Sequence, residues 1–398
     1  MYILGINISH HASSCLVDKS GEILYYIEEE RISRIKDTYY DEMEDGQYKF
    51  YAIDSIKKYT DVIDYVVFAS FDRINDLDYV VIDSIKNQLV EAGITIKNDP
   101  IYERGMHHYY HACNAFYGST FDESICIVLD GGGSAPTIEN NLTKKYQYPF
   151  REIESIYQCS YKKGIIPLYK HYSYLDKSSE EYQNNSSENF FMIEDTKSHK
   201  NVFSDSLGCG DLFNSVCSIM KLNGDEAGKV MGLASYGKFI HPNEWFVERD
   251  GEWITRPKFL EFLDENFELS SDEVLEVLNK SNNPLEDFNP RIQNEGYEIL
   301  ANMAYKLQEQ TLNHTLRIIE KSYSLSSSNN IVMSGGYILN CVNNYKYLPH
   351  IKENGQLYID PIAHDGGTCI GAAKDILMKK TKEANIKFKN PLTNIYLG

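Results

Sequence analysis

Two distant segments of the sequence share one pattern, in which an apolar strand runs directly into a tight polar turn. The first is YILGINISHHAS, which begins at Tyr2, and the second is SICIVLDGGGS, residues 124–134. Further strand-forming sequence follows each turn. A strand-and-turn unit that recurs in this way predicts two similar lobes that face each other across a cleft. The length of 398 residues suits two such lobes better than one simple domain.

The remaining sequence supplies helices and strands for both lobes. A hairpin is predicted around residues 19–21, and a short buried strand at 64–70. Apolar spacing predicts helices over 53–60, 80–92, 107–117, 294–322 and 367–380. We assign residues 1–120 to lobe I and 121–366 to lobe II, and expect the last helix to pack back on lobe I. The Ser-, Asn- and Glu-rich segment 175–201 is interpreted as a mobile insertion loop.

Charge and cysteine usage limit the class of protein. A net charge of −19 argues against binding to a nucleic-acid backbone, which needs clustered Lys and Arg. The sequence has no run of 18 apolar residues, and its start lacks the basic region of a signal peptide. The eight cysteines form no CxxC pair, which is typical of reduced thiols in the cytoplasm. We therefore expect a cytoplasmic protein without nucleic-acid or membrane partners.

Two glycine-rich turns are candidate nucleotide contacts. The first follows a predicted strand and consists of Gly131, Gly132, Gly133 and Ser134. The second consists of Gly335 and Gly336, and precedes a helix predicted to begin near Ile338, with Asn340 placed to bond a base or ribose. Glycine lets backbone N–H groups approach an anion, and a helix N-terminus favours phosphate. Either turn alone is more typical of a structural turn, but the two together favour a nucleotide platform.

A third glycine-bearing segment, EAGKVMGLA, begins at Glu226. Glu226 and Lys229 are three residues apart, so on a helix both side chains face the same way, with Gly228 between them. They are placed either to bind ribose hydroxyls or to form a surface ion pair. The residues alone leave these two interpretations equal.

Metal-ligand spacing occurs once on a predicted helix. His107 and His111 are four residues apart, which places both imidazoles on one helical face, whereas His108 points elsewhere. Asp365, directly before the last helix, is the best candidate for a third ligand. Two histidines and one carboxylate are suited to iron(II) or zinc. A lone HxxxH also arises often by chance in a structural helix, so this alternative stays open on spacing alone.

Six motifs occur in the order found in one known family. They are GINISHHASSCLV with EEERISRIKD, HHYYHACNAF, DGGGS, EAGKVMGLASYG, SGGYILNCVNN and PIAHDGGTCIGAA. In these motifs the chain resembles the carbamoyltransferases of the nodulation-protein and antibiotic-tailoring type, whose catalytic part is related to the transferase that places threonylcarbamoyl on tRNA. The resemblance covers roughly residues 1–395. It implies an α/β fold of the actin/sugar-kinase/heat-shock ATPase superfold, with two duplicated ribonuclease-H-like lobes around a nucleotide cleft.

The resemblance also implies a reaction. Family members bind carbamoyl-adenylate, derived from ATP, and transfer its carbamoyl group to a hydroxyl near an iron held by two histidines and an aspartate. Carried over by position, the expected metal ligands are His107, His111 and Asp365, and the three glycine segments become nucleotide contacts. His10 or His11 would lie near the transferred group as a general base. His364 departs from the pattern, since a small residue is more usual before the aspartate.

The family pattern continues into a second, adenylate-forming domain that this sequence is expected to lack after NPLTNIYLG. Either a separate subunit supplies the adenylate, or the natural chain is longer, or the protein uses a different activated donor. We expect a small-molecule acceptor, chosen by loops such as 38–48 and 175–201 and belonging to secondary metabolism such as antibiotic biosynthesis. The sequence leaves open whether the chain forms a homodimer.

Three other functions are weighed against carbamoyl transfer. A sugar-kinase-like phosphotransferase would need a carboxylate base and Mg²⁺ at a γ-phosphate, and the two-histidine pattern argues against it. A non-catalytic nucleotide-binding subunit and a transferase of a different acyl or amide group both stay open.

Overall fold

The computed structural model describes most of the chain, and the structural statements below concern that part alone. The described residues are 1–39, 41–42, 48–71, 77–136, 150–174, 191–239, 243–256, 259–280, 284–285, 288–289, 291, 294–381 and 387–388. No helix in these ranges is long and apolar enough to cross a bilayer.

Lobe I is built on a mixed five-stranded sheet. Its strands have the spatial order β3-β2-β1-β7-β9, in which β2 is antiparallel to both neighbours and β7 and β9 run parallel to β1. Two further short pairs, β4 with β5 and β6 with β8, lie outside this sheet. The strands are β1 Tyr2–Asn7, β2 Ser13–Asp18, β3 Ile23–Glu28, β4 Asp41–Glu42, β5 Tyr48–Lys49, β6 Val62–Ile63, β7 Tyr65–Ala69, β8 Thr95–Ile96 and β9 Ile101–Tyr102.

Lobe II repeats this arrangement. Five of its strands have the order β12-β11-β10-β17-β18, again with an antiparallel hairpin on one side of the first strand and two parallel strands on the other. Strands β14 and β13 extend the hairpin side, and β15 pairs with β16. The strands are β10 Glu123–Leu129, β11 Phe150–Ser160, β12 Gly164–Tyr174, β13 Phe191–Asp195, β14 Lys200–Ser204, β15 Phe246–Arg249, β16 Glu252–Thr255, β17 Ile331–Ser334 and β18 Leu357–Ile359.

The shared strand order confirms the predicted superfold with two ribonuclease-H-like lobes. Each first strand is buried almost throughout, because helices and loops cover both of its faces. This is why β1 and β10 are apolar runs rather than alternating sequences. Both first strands end in the polar turns from which the sequence predicted a duplication.

Ten α-helices occur in the described ranges. They are α1 Glu30–Ser33, α2 Leu77–Glu91, α3 His107–Gly118, α4 Cys209–Ile219, α5 Ala227–Leu233, α6 Phe259–Phe267, α7 Asp272–Asn279, α8 Glu295–Leu325, α9 Cys341–Asn344 and α10 Thr368–Lys380. The long helix α8 starts at Asn294, whose side chain accepts the N–H of Tyr297 as an N-cap.

Two helices connect the lobes. Helix α3 packs on β10 and β17 of lobe II, whereas α10, from the end of the chain, packs on β1, β2 and β7 of lobe I. The two helices also pack against each other, and Gly371 lies at their closest approach. A Cβ on Gly371 would be 1.9 Å from the carbonyl oxygen of Tyr110, so only glycine allows the contact. This crossing brings the start of α3 next to the turn before α10.

Two local predictions differ from the structure. Residues 53–60 form two short 3-10 turns, Tyr51–Ile53 and Ile56–Lys58, rather than a helix. In the predicted insertion loop, 175–190 lie outside the described residues, but the rest enters strands β13 and β14 and is not a mobile loop. Residues 200–204 form a strand because β14 pairs with β12, and a polar composition does not indicate such pairing. Most of the predicted acceptor loop 38–48 also lies outside the described residues.

Candidate functional site

His107 and His111 lie one turn apart at the start of α3, where the lobes meet. Both imidazoles are completely buried, and their Nε2 atoms are 3.3 Å apart. The helical period of 3.6 residues explains why an i, i+4 pair converges on one point. The first turn of the helix is anchored by Ser134, whose Oγ accepts the backbone N–H of His107.

Two carboxylates from other parts of the chain complete the cluster. Asp365 Oδ1 lies 3.5 Å from the Nε2 atoms of both histidines. Asp130 Oδ2 lies 3.2 Å from His107 Nε2 and 3.9 Å from His111 Nε2. Sequence analysis did not propose Asp130 as a metal ligand. Its position after β10, directly before the glycines, is nevertheless the kind of strand-end position that predicted other functional residues.

The hydrogen bonds of His111 determine its tautomer. The hydroxyl of Ser334, at the end of β17, donates to the carbonyl oxygen of Ala363 and lies 3.2 Å from His111 Nδ1. Because the hydroxyl proton is committed to that carbonyl, the oxygen accepts from Nδ1–H. The lone pair of His111 is therefore on Nε2, which faces the two carboxylates. A second hydrogen bond of this kind is typical of histidines that bind metal.

The cluster is strongly coupled electrostatically. Burial opposes the charged imidazolium of His107, but Asp365 and Asp130 outweigh it and raise its pKa to about 10. Burial opposes the charge on both aspartates as well, yet the two histidines lower the pKa of Asp130 to about 2 and that of Asp365 well below its ordinary value. Two buried carboxylates thus share a space with two imidazoles, so the cluster is suited to an added positive charge.

The donor set fits a divalent transition metal. One ligand atom from each of His107, His111, Asp130 and Asp365 lies within 4.8 Å of the others. Two imidazole nitrogens and two carboxylate oxygens are ligands that iron(II) and zinc accept. Asp130 is oriented by its other oxygen, since Oδ1 accepts the N–H of Gly336 at 2.8 Å.

His10 and His11 lie in the turn after β1, on the lobe I side of this cluster. The buried side chain of Asn7 donates to the carbonyl oxygens of both residues and so shapes the turn, in which His11 has a left-handed backbone with φ of 53°. His11 Nε2 is 2.7 Å from Asp37 Oδ1, and its Nδ1 is 2.6 Å from His10 Nδ1. Its ring packs against His364, with ring centroids 4.5 Å apart, next to Asp365.

Burial lowers the basicity of the His11 and His364 rings. Burial, followed by the nearby rings of His364 and His10, lowers the pKa of His11 below its ordinary value. Burial also lowers the pKa of His364 to about 4. Both rings are therefore neutral near pH 7, and the Nε2–H of neutral His11 donates to Asp37.

The first glycine turn continues the pairing of β10 with β11. The N–H of Asp130 donates to the Ile153 carbonyl and that of Gly133 to the Glu152 carbonyl, so these amides are occupied. Gly133 is also needed for packing, because a Cβ there would be 2.6 Å from the ring of His108. Ser134 is fully buried. Gly131 and Gly132 are the partly exposed members of this turn, and a Cβ on them would lie 3.4 Å from Asn214 Nδ2 and 3.7 Å from Arg151 Cδ, respectively.

The second glycine turn is held by internal hydrogen bonds. The N–H of Gly335 donates to the Ala363 carbonyl and that of Gly336 to Asp130, and a 3-10 turn, Gly336–Leu339, follows in place of the predicted helix. Asn340 is buried and paired with the Gln308 amide, with Nδ2 2.6 Å from Oε1. The backbone N–H groups of Gly335 and Gly336 and the side chain of Asn340 were expected to contact a nucleotide. In the structure they are instead directed to partners inside the protein. The physical reason is that neighbouring strands and α8 supply closer partners.

The third segment forms the short helix α5. Glu226 and Lys229 make an ion pair on its exposed side, and Glu226 also accepts the N–H of Asn223 in a capping box. The sequence left open a ribose contact or a surface ion pair, and the structure contains the ion pair between Glu226 and Lys229. A Cβ on Gly228 would meet nothing within 4 Å, so this helix face is open.

Comparison with known proteins identifies relatives of this chain. The family model described as "Carbamoyltransferase N-terminus" matches residues 93–374. An uncharacterized protein, sll1178, of Synechocystis sp. is 22% identical over 431 residues, which cover 100% of this chain and 60% of that protein. The chain thus spans less than two thirds of the length of this curated relative.

Solved structures share the fold. HypF from T. kodakarensis superimposes with a TM-score of 0.54 at 14% identity, covering 98% of this chain and 49% of that chain. Full-length HypF in a phosphate- and nucleotide-bound form gives 0.52 at 13% identity, covering 96% of this chain and 56% of that chain. At this identity the likeness shows the fold alone. The model of the carbamoyltransferase N-terminus matches more than half of the chain, and so the chain belongs to the carbamoyltransferase family.

Proposed function

We propose that this chain transfers a carbamoyl group from carbamoyl-adenylate to a hydroxyl of a small molecule, and that it does so at the cluster of His107, His111, Asp130 and Asp365. Membership of the carbamoyltransferase family supports carbamoyl transfer in general. The observation that carries the proposal is the buried four-residue cluster at the meeting point of the lobes. The donor, the acceptor class and a role in antibiotic biosynthesis are parts of the proposal.

The four side chains of the cluster would hold iron(II) or zinc. A metal ion there would act as a Lewis acid on the carbamoyl carbonyl, which is worth several kcal/mol at a transition state. The hydroxyl of Ser334 keeps the lone pair of His111 directed into the cluster. The N–H of Gly336 orients Asp130 in the same way. These contacts preorganise the ligand atoms before substrate arrives.

His11 is the proposed general base. With its Nε2–H donated to Asp37, its second nitrogen, Nδ1, has the lone pair and can take the proton of the acceptor hydroxyl. A bond then forms between the acceptor oxygen and the carbamoyl carbon, while the bond from that carbon to the phosphate oxygen breaks and AMP leaves. His10 Nδ1, 2.6 Å away, is the hydrogen-bond donor to this nitrogen, so the acceptor hydroxyl takes the place of His10 when it binds.

The nucleotide is proposed to lie against the half-exposed Gly131 and Gly132, between the cluster and α5. Their backbone can approach a phosphate closely because neither carries a Cβ. Glu226, directly before α5, and Lys229 on α5 are the candidate contacts for a ribose, once the ion pair between them opens. The acidic net charge of −19 favours a small acceptor over a nucleic acid.

Transfer activity can be tested with synthetic carbamoyl-adenylate, so that the source of the donor does not matter. The measurements are AMP release, carbamoylation of a panel of hydroxyl compounds, and metal content. We expect the double change His107→Ala and His111→Ala to remove one equivalent of metal per chain and to abolish transfer while the chain stays folded. His350→Ala, at an exposed histidine, is the control. Unchanged metal content and transfer in the double variant would contradict the proposal, and adenylate binding without transfer would favour a non-catalytic nucleotide-binding subunit.

A further inference from the structure

A second group of metal-ligand side chains is buried inside lobe II, and it shares no residue with the proposed catalytic cluster. It consists of Glu154 on β11, Cys209 at the start of α4, and His314 on α8. One ligand atom from each lies within 4.8 Å of the other two. The three residues come from three separate elements, and each is 1% exposed. We call this group the lobe II triad.

Local contacts hold each member of the triad in place. His314 Nε2 is 2.5 Å from Glu154 Oε1, and the His314 ring is stacked on Phe246 with centroids 4.1 Å apart and an angle of 7° between the planes. The other oxygen of Glu154 lies 3.5 Å from His171 Nδ1, whose ring is fixed in turn by Ser204 Oγ at 2.7 Å from Nε2. Thus Oε2 has a partner outside the triad, and Oε1 points into it.

The position of Cys209 is not explained by an ion pair between Glu154 and His314. Its thiol is buried in the hydrophobic core of lobe II beside a carboxylate, and its Sγ lies 3.9 Å from the Thr311 carbonyl oxygen. A protonated thiol is a weak donor, and it adds little to such a pair. A thiolate, a carboxylate and an imidazole together are a ligand set that zinc accepts, as soft and borderline donors select this metal.

We propose that the lobe II triad binds a zinc ion through three protein ligands, none of which belongs to the proposed catalytic cluster. A thiolate and a carboxylate neutralise Zn²⁺, so the loaded site carries no net charge into the interior. On binding, bonds form from zinc to sulfur, oxygen and nitrogen, while the thiol proton, together with any proton on His314 Nε2, passes to solvent. Nothing is oxidised or reduced. The site joins β11, α4 and α8, and so stabilises lobe II.

A zinc–sulfur bond distinguishes this site from the catalytic cluster, whose four ligands include no cysteine. The test uses the double variant His107→Ala and His111→Ala, refolded with Zn²⁺ or Co²⁺ because the triad is inaccessible in the folded chain. We expect about one equivalent of zinc to remain, with one sulfur neighbour at about 2.3 Å in X-ray absorption. The cobalt form should show a thiolate-to-metal charge-transfer band in the near ultraviolet.

A cysteine on the same helix provides a matched control. Adding Cys209→Ser should abolish the charge-transfer band and lower the zinc affinity at least tenfold. Adding Cys217→Ser, at a buried residue of α4 outside the triad, should leave the band and the affinity unchanged. Absorption spectra with nitrogen and oxygen neighbours only, or a band that survives Cys209→Ser, would overturn the proposal and leave the triad as an ion pair. The absorption measurement needs no cysteine variant, so it decides the question even if Cys209→Ser does not fold.

Discussion

Replacing Ser334 with alanine tests whether the tautomer of His111 is set by a single hydroxyl. Ser334 Oγ accepts from His111 Nδ1–H at 3.2 Å and donates to the Ala363 carbonyl. If a metal occupies Nε2, the proton must stay on Nδ1, and in Ser334→Ala that buried donor has no acceptor. Without metal, the proton can move to Nε2, which faces Asp365 and Asp130. The cost therefore falls on the metal-bound state.

The size of this effect follows from two independent considerations. A buried donor left without a partner costs about 1–3 kcal/mol. Loss of an outer-shell partner of a metal-binding histidine typically lowers metal affinity by about 10- to 100-fold, which corresponds to roughly 1.4–2.8 kcal/mol. We expect Ser334→Ala to weaken metal binding within this range, measured by competition with a chromophoric chelator, while circular dichroism shows a folded chain.

A neighbouring serine provides the control. Ser155 Oγ lies 2.8 Å from Nδ1 of His108, a histidine of the same helix that is outside the cluster. Ser155→Ala removes an equivalent buried contact between serine and imidazole, so it should leave metal affinity unchanged. Equal metal affinity in Ser334→Ala and the wild-type protein, or an equal loss in both variants, would refute the role assigned to Ser334.

Two further variants test the packing of α3 on α10 and the first glycine turn. Gly371→Ala should lower the free energy of unfolding by about 1–3 kcal/mol or more in denaturant titration, because its Cβ would be 1.9 Å from the Tyr110 carbonyl oxygen. Gly232→Ala on α5, with open space around it, should be neutral or stabilising by up to about 1 kcal/mol, and equal effects would exclude the packing argument. Gly132→Val should weaken AMP binding at least tenfold in calorimetry without unfolding the chain, since the nearest atom to its Cβ is Arg151 Cδ at 3.7 Å. Unchanged AMP affinity would remove Gly132 from the nucleotide site.

The lobes could be predicted from the sequence because the evidence for them is local. A buried strand followed by a polar turn is visible in YILGINISHHAS and in SICIVLDGGGS, and its repetition predicted two lobes of one kind. The spacing of His107 and His111 predicted that their imidazoles converge, since the helical period alone dictates it. Their Nε2 atoms are 3.3 Å apart in the structure.

The partners of those histidines depend on the tertiary structure. Sequence analysis proposed Asp365 as a ligand from its position before the last helix and did not propose Asp130. The packing of α3 and α10 brings both carboxylates to the same imidazoles. The same limit applies to the lobe II triad, because three elements far apart in sequence carry Glu154, Cys209 and His314. No local period connects such residues, so only the folded chain brings them together.

Tertiary structure also decided which polar groups are available to a ligand. Glycine at 335 and 336 indicates where a backbone can approach an anion, but the N–H of Gly336 is directed to Asp130 and the side chain of Asn340 to Gln308. A buried donor is satisfied by whichever acceptor packing brings nearest, because leaving it unpaired is costly. The sequence by itself therefore determined the strands, the turns and the convergent histidines, whereas the complete donor set and the free amides were decided by the contacts between β10, β17, α3 and α8.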